Sequence, residues 1–416
     1  MFTVSSRAAL LTLGLAAACG GGATEPGRSI APATLDALPR ALTGSEQKVI
    51  GAANDFSFSL FRQLSAAQKD ANVFTSPLSA TMALGMTMNG AATQTYDQMR
   101  STLGFGSASE TDINTGYKSL IALLRGLDNA VDVRVANSIW YRTGFPFNQS
   151  FLDAGRTWFD AQVSALDFAS ASAVPTINAW VSTATAAKIP TIIEKIDSDQ
   201  VMFLINAIYF KGSWRDKFDV AETRDAPFHG VSGDQSVKLM HRQGKYRYFG
   251  STDYEVVDLP YGNSAYTMSV VLPRAGKSVE IIAASLQASA WNTIAAGLRE
   301  SLVDLSLPRF KLEWERTLND DLKALGIRDA FVVGGADFTR MSTLRGRELY
   351  ISIVKQKTYV DVNEEGTEAA AVTNVGIGVT SAPLTVNFRV DRPFIFIIRE
   401  RLSGTVMFMG KIVKLP

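Results

Sequence analysis

The chain has 416 residues, 46% hydrophobic and 19% charged, with 41 Lys+Arg against 40 Asp+Glu. That length can bury a large core, and so even a charge balance gives no footprint for nucleic acid. A single cysteine rules out an internal disulfide, and two histidines supply no His/Cys set for zinc, so neither metal nor cofactor is expected.

At the N-terminus, Arg7 precedes the apolar run Ala8 to Ala18, too short to span a bilayer. Cys19 follows. Residues 1–19 read as a signal peptide. Leu15-Ala16-Ala17-Ala18-Cys19 resembles a bacterial lipobox. That resemblance implies lipidation of Cys19 and an exported protein anchored to the bacterial cell envelope. Without lipidation the protein is periplasmic or secreted. Residues 20–44, with Gly20-Gly21-Gly22 and Pro26, Pro32 and Pro39, read as a flexible tether. No linker and no repeat interrupts residues 45–416, so one domain is expected.

Within that domain Ser76 is an N-cap and Pro77 a first-turn residue. Leu78, Met82 and Met86 follow at helical spacing, as do Thr81, Leu84 and Met88. The run Val201 to Trp214 is apolar enough for a strand buried on both faces. Asn206 within it is costly unless hydrogen-bonded, and Trp214 reads as core. His229 and His241 sit beside Pro227-Phe228 and Met240, without a Gly-x-Ser-x-Gly elbow anywhere in the chain. Gly376-Ile377-Gly378 is a lone Gly-x-Gly with no helix after it. An enzyme is not expected.

The C-terminal fifth is the most informative. Thr358, Val360 and Val362 alternate as in a strand. Then comes Glu364-Glu365-Gly366-Thr367-Glu368-Ala369-Ala370-Ala371-Val372-Thr373, and no charged residue occurs from Ala369 to Phe388. Strand character returns at Phe394-Ile395-Phe396-Ile397-Ile398. A long uncharged, β-branched segment pairs readily with sheet edges and aggregates. Its presence points to a chain that uses its capacity to become a strand. Gly366 lacks a Cβ and can swivel. Thr367, Ala369, Ala371 and Thr373 share one face, and all are small.

These segments, taken in order, resemble the serpins. Glu364 to Thr373 is similar to their hinge and reactive-centre loop. Asn72 to Ser79, Gly90-Ala91-Ala92 and Gln98-Met99 are similar to the signature around their second and third helices. Ile177-Asn178-Ala179-Trp180-Val181 resembles the helix that crosses the front of their sheet. The resemblance continues through Val201 to Trp214, Ser306 to Phe310, Leu322 to Phe338, Arg392 to Phe396 and Phe408 to Lys411. It runs from about Ser45 to the C-terminus.

The resemblance implies an α+β serpin fold: a large central β-sheet, further sheets, eight or nine helices and an exposed reactive-centre loop at about residues 364–385. It implies shutter and breach roles for Ser76, Ser79, Asn206, Trp214, Arg309 and Gln356, with Arg309 paired to Glu364. Gln356 stands where many serpins carry a histidine; an amide keeps the hydrogen bonds and loses any titration. The hinge is Glu364, Gly366, Thr367, Glu368, Ala369, Ala370 and Ala371. The family spacing puts the scissile bond at Thr380-Ser381, or at Val379-Thr380.

The implied function is inhibition of a serine protease by suicide trapping. The protease cleaves the loop, an acyl-enzyme forms, and the loop inserts into the sheet of a metastable fold. Small and β-branched residues before the bond favour an elastase-like or subtilisin-like target. The partner is that protease, in a covalent complex with a monomeric inhibitor. The alternative is a non-inhibitory serpin acting as a binding or carrier protein.

Overall fold

The computed structural model describes residues 33–367 and 385–415, all within one unit running from Pro32 onward. It opens on α1 (Gly44–Ala67). Thr43 caps this helix reciprocally, its hydroxyl accepting from Glu46 N while the Glu46 carboxylate accepts from Thr43 N. The short β1 (Val73–Thr75) leads to Ser76, whose Oγ accepts from Ser79 N and starts α2 (Pro77–Met88). Then follow α3 (Thr93–Thr102), α4 (Glu110–Leu124), β2 (Val131–Arg142), α5 (Gln149–Phe159), β3 (Ala161–Leu166), α6 (Ala173–Ala184) and β4 (Met202–Ser213). The middle of the chain gives β5 (Arg224–Gly230), β6 (Gly233–Gly250), β7 (Tyr254–Pro260), β8 (Tyr266–Pro273), α7 (Val279–Ser285) and α8 (Ala288–Gly297). The last third gives β9 (Arg299–Pro308), β10 (Phe310–Thr317), α9 (Asn319–Leu325), β11 (Lys355–Asn363), β12 (Gly366–Thr367), β13 (Val386–Arg389), β14 (Phe394–Glu400) and β15 (Val406–Ile412). The described residues thus hold nine helices, within the expected range.

A six-stranded sheet runs β10-β11-β12-β4-β2-β3. The other strands form one nine-stranded network, where several further sheets were expected. The cause is β6, which spans 18 residues. Its early residues pair with β5, its middle with β9 and its end with β7.

Almost every residue of α2 is buried, as befits a helix apolar on all sides. It lies in the main core and supports the six-stranded sheet from behind. A separate, smaller core packs Ile177 and Val181 of α6 on Trp140, Phe203 and Ile205 of the sheet's front.

The expected tether ends earlier than residue 44. Leu35 N donates to Asn263 O at 2.7 Å, Arg401 Nη2 donates to Leu35 O at 2.5 Å, and Leu38 and Leu42 pack on the main core. Only residues 20–32 of it lie outside the described chain.

Candidate functional site

The six-stranded sheet is parted between β4 and β11. Among the described residues, only the two of β12 bridge them, at one end. Thr367 pairs with Val362 on one side and Gly212 on the other; Gly366 pairs with Asn363 and Ser213. Gly366 has φ +149°, and a Cβ there would lie 2.1 Å from Gly212 O and 2.7 Å from Ser213 Cα. No other residue fits this approach.

Three aromatic and hydroxyl contacts seat the bridge. Trp214 stacks on Tyr261 with ring centroids 4.5 Å apart. Tyr261 Oη and Thr367 Oγ1 share a 2.7 Å hydrogen bond. The Trp214 indole donates to Asn363 O at 2.9 Å, and its backbone N donates to Glu365 O at 2.8 Å.

Beside them Arg309 Nε donates to Glu364 Oε1 at 2.6 Å, and the Thr223 hydroxyl donates to the same oxygen. The Glu364 side chain is only 4% exposed. The Arg309 side chain is 39% exposed, so water still screens one half of the pair. Lys217 holds Glu365 at 2.6 Å.

Below β12 the sheet's opening passes over the first turn of α2. On the β11 side, Gln356 Oε1 accepts from Thr75 Oγ1 at 2.6 Å and from Ser76 N at 3.1 Å, and its Nε2 donates to Ser76 O at 2.7 Å. Ser76 Oγ donates to Met407 O at 2.9 Å. On the β4 side, Ser79 Oγ reaches Asn206 O at 3.4 Å. Asn206 Nδ2 donates to Asn137 Oδ1 of β2, while Asn206 Oδ1 is buried without a protein partner. Further down, the opening widens into a cavity of about 320 Å³ lined by Ala83, Leu84, Phe203, Phe338 and Ile351.

The comparisons with known proteins identify the family. The model of the Serpin (serine protease inhibitor) family matches residues 51–415. The chain belongs to the serpins. It is 35% identical over 371 residues to the human leukocyte elastase inhibitor, covering 86% of this chain and 96% of that one. Among solved structures, the native state of the thermophilic serpin tengpin superimposes with a TM-score of 0.81 at 31% identity, covering 93% of this chain and 98% of that one. Human thyroxine-binding globulin in complex with thyroxine gives 0.81 at 27% identity, covering 89% and 100%.

Of the residues for which the resemblance implied shutter and breach roles in this serpin, Ser79, Asn206 and Gln356 line the opening, Ser76 bonds Gln356 beneath it, and Trp214 and Arg309 contact the hinge segment at Asn363, Glu365 and Glu364. Glu364, Gly366 and Thr367 of the hinge sit at the opening's bridged end. Glu368, Ala369, Ala370, Ala371, Val379, Thr380, Ser381 and Cys19 lie outside the described residues. Asn206 departs from a fully satisfied core amide, since one of its two polar atoms is unpaired. Sequence reasoning missed Tyr261, Thr223 and Asn137. Asn137 carried a signal, an amide in the apolar strand pattern of β2 like Asn206 in β4. Tyr261 and Thr223 carried none, because only the tertiary fold brings them to the hinge.

The hinge of this serpin carries a pH dependence. Burial alone would raise the Glu364 carboxyl; hydrogen bonds from Arg309, Thr223 and backbone outweigh it and hold the group below its ordinary value. Its contribution to hinge docking is complete above the free glutamate value, roughly 4.3, and is lost as pH falls through the docked value. Protection of the Thr367 amide from hydrogen exchange is expected to drop once the pH falls through that lowered value. The drop should vanish in Glu364→Gln. An identical acid profile in both proteins would assign the hinge's acid sensitivity to another group.

Proposed function

We propose that this serpin inhibits serine proteases by suicide trapping, with an elastase-like or subtilisin-like target. The observation that carries the reading is β12: two hinge residues occupy strand positions between β11 and β4, above an opening that continues down the sheet. Extending both registers one residue at a time sets Ala369 opposite Phe210 and Val360, and Thr373 between Asn206 and Gln356. The unpaired Asn206 Oδ1 then gains a hydroxyl donor. Small residues at 369 and 371 meet the packed side of the sheet without obstruction.

In the proposed reaction the protease serine Oγ bonds to the scissile carbonyl carbon at Thr380, or at Val379. The peptide C–N bond breaks and the new amine leaves with a proton. The loop, now free at one end, enters the sheet and carries the acylated protease with it before water can deacylate it. Val379 and Thr380 suit a shallow, apolar primary pocket, and no basic or aromatic residue stands near the bond.

The likeness to thyroxine-binding globulin supports a second reading, a serpin that binds a ligand without trapping. One experiment separates the two. The chain from residue 20 is mixed with elastase-like, subtilisin-like, trypsin-like and chymotrypsin-like proteases, and the products go to denaturing gels and mass spectrometry. Trapping gives a denaturant-stable covalent complex with the elastase-like or subtilisin-like enzyme and a new N-terminus at Ser381 or Thr380. Loop cleavage by all four without a complex, and without a gain in thermal stability, would establish the second reading instead.

A further inference from the structure

Two hydrogen bonds close the lower end of the opening. Asp199 to Val201, just before β4, line one wall of the cavity there, and Leu349 to Val354, just before β11, line the other. Tyr350 Oη donates to Asp199 Oδ2 at 2.7 Å across the gap, and Gln200 Nε2 donates to Ser352 Oγ at 3.3 Å.

The two walls carry independent registers. Thr367 stands opposite Gly212, and an antiparallel count down that wall sets residue 379 opposite Gln200 and residue 380 opposite Asp199. Thr367 also stands opposite Val362, and the same count down the other wall sets residue 379 opposite Tyr350 and residue 380 opposite Leu349. The counts start on different strands and end on Asp199 and Tyr350, two residues that touch each other. Val379 and Thr380 are also the two candidates for the residue that the protease acylates. A fully entered loop therefore brings its acylated end to the Asp199–Tyr350 contact.

The neighbouring charges are matched to one another. Lys195 pairs with Asp197 at 2.8 Å, Lys355 with Glu315, and Arg345 with Glu348. Asp199 differs, because its side chain bonds to a neutral phenol. Arg142 approaches it, but the Arg142 Nη2 donates to Ser198 O and Gln200 O on either side of Asp199. The Tyr350 hydrogen bond, with smaller help from backbone N–H groups and the Arg142 charge, holds the Asp199 carboxyl below its ordinary value. Asp199 thus brings a negative charge to the place where the acylated residue arrives.

We propose that Asp199 protects the trapped acyl-enzyme, its carboxylate standing beside the ester and disfavouring hydrolysis. The inference rests on the trapping reading above. The ester joins the carbonyl carbon of residue 380, or 379, to the protease serine Oγ. In hydrolysis a water oxygen bonds to that carbon and negative charge builds on the carbonyl oxygen. The C–Oγ bond then breaks and a water proton passes to Oγ. Enzymes hasten such steps by aiming donors at the developing oxyanion. A fixed carboxylate does the reverse. A unit charge about 5 Å away in water alters the rate by about fivefold. Tyr350 is the positioning partner, holding Asp199 at the gap until the loop arrives.

The test uses the full chain and whichever of the four proteases it traps. The covalent complex is purified, and its decay is followed on denaturing gels. Asp199→Asn keeps the shape and loses the charge, and should shorten the lifetime of the complex about fivefold at low salt. Asp199→Glu should restore most of that lifetime. Salt at about 1 M should narrow the gap between the wild type and Asp199→Asn, because screening weakens an exposed charge. A merely structural role would not respond to salt in this way. Tyr350→Phe removes the resting bond and keeps the carboxylate, so its complex should last as long as the wild type's or longer. Equal lifetimes for Asp199→Asn and the wild type overturn the proposal. A Tyr350→Phe complex that decays as fast as Asp199→Asn overturns it too, since the resting bond and not the charge would then matter. Neither result touches the trapping reading. If the wild type forms no covalent complex with any of the four, that reading has failed and the role of Asp199 falls with it.

Discussion

On the proposed trapping reading, replacing Thr367 by arginine is expected to leave a substrate where there was an inhibitor. Thr367 is 2% exposed, paired on both sides in the ladder, and bonded through its hydroxyl to the fully buried Tyr261. The nearest cations and carboxylates, the Arg309–Glu364 and Lys217–Glu365 pairs, are already matched to each other. An arginine at 367 brings an unpaired charge to a site built for a methyl and a hydroxyl, a cost of several kcal/mol. That cost unseats β12 in the resting protein and must be met again when the strand enters, while the loop sequence around the scissile bond is untouched. The protease should therefore cleave at the normal rate while insertion slows by about a hundredfold or more. Gels should show cleaved inhibitor and free, active protease in place of the covalent complex. Full trapping by Thr367→Arg would mean that hinge entry does not limit the reaction. Thr367→Val, which keeps the shape and loses only the Tyr261 bond, should cost about 1 kcal/mol and retain most of the trapping.

What could be read in the sequence, and what could not, divides along one physical line. The hinge was legible because its requirements are local: a glycine to swivel, then small residues on one face of a strand. The start of α2 was legible for the same reason, since Ser76 and Pro77 satisfy a cap within one turn. The hydrogen-bonding role expected of Gln356 is visible as three bonds to Thr75 and Ser76, residues 281 and 280 positions away in sequence. The local sequence around Gln356 did not carry that information; it came with the resemblance. Tyr261 shows the limit. It sits in a turn between β7 and β8, and tertiary contacts alone, the isolated bridge and ring stack with Trp214 among them, bring it under the hinge. The merging of the smaller sheets through β6 was equally hidden, because strand partners are set by the twist and bend of an 18-residue strand and not by its alternation.

The opening itself is asymmetric, and Gln356 is the place to see it. The first turn of α2 touches both sides of the gap. Toward β11, Gln356 is 7% exposed and makes bonds of 2.6, 2.7 and 3.1 Å. Toward β4, Ser79 offers one bond at 3.4 Å, near the limit of a hydrogen bond. If a strand enters as proposed, the weaker side is expected to give first, with β4 moving over α2 while β11 stays fastened. Gln356→Leu should then leave the buried Ser76 N–H and Thr75 hydroxyl without their acceptor, lowering stability by about 2–4 kcal/mol. Because the same bonds persist before and after β4 moves, the split between trapped and cleaved inhibitor should hardly change. Ser79→Ala should behave in the opposite way, costing under about 1 kcal/mol in stability while shifting that split toward trapping. Urea denaturation measures the first quantity, and product ratios at a temperature where every variant is folded measure the second. If Gln356→Leu moves the product ratio as strongly as it moves the stability, then β11 also leaves α2 during opening, and the two sides of the gap are not distinct.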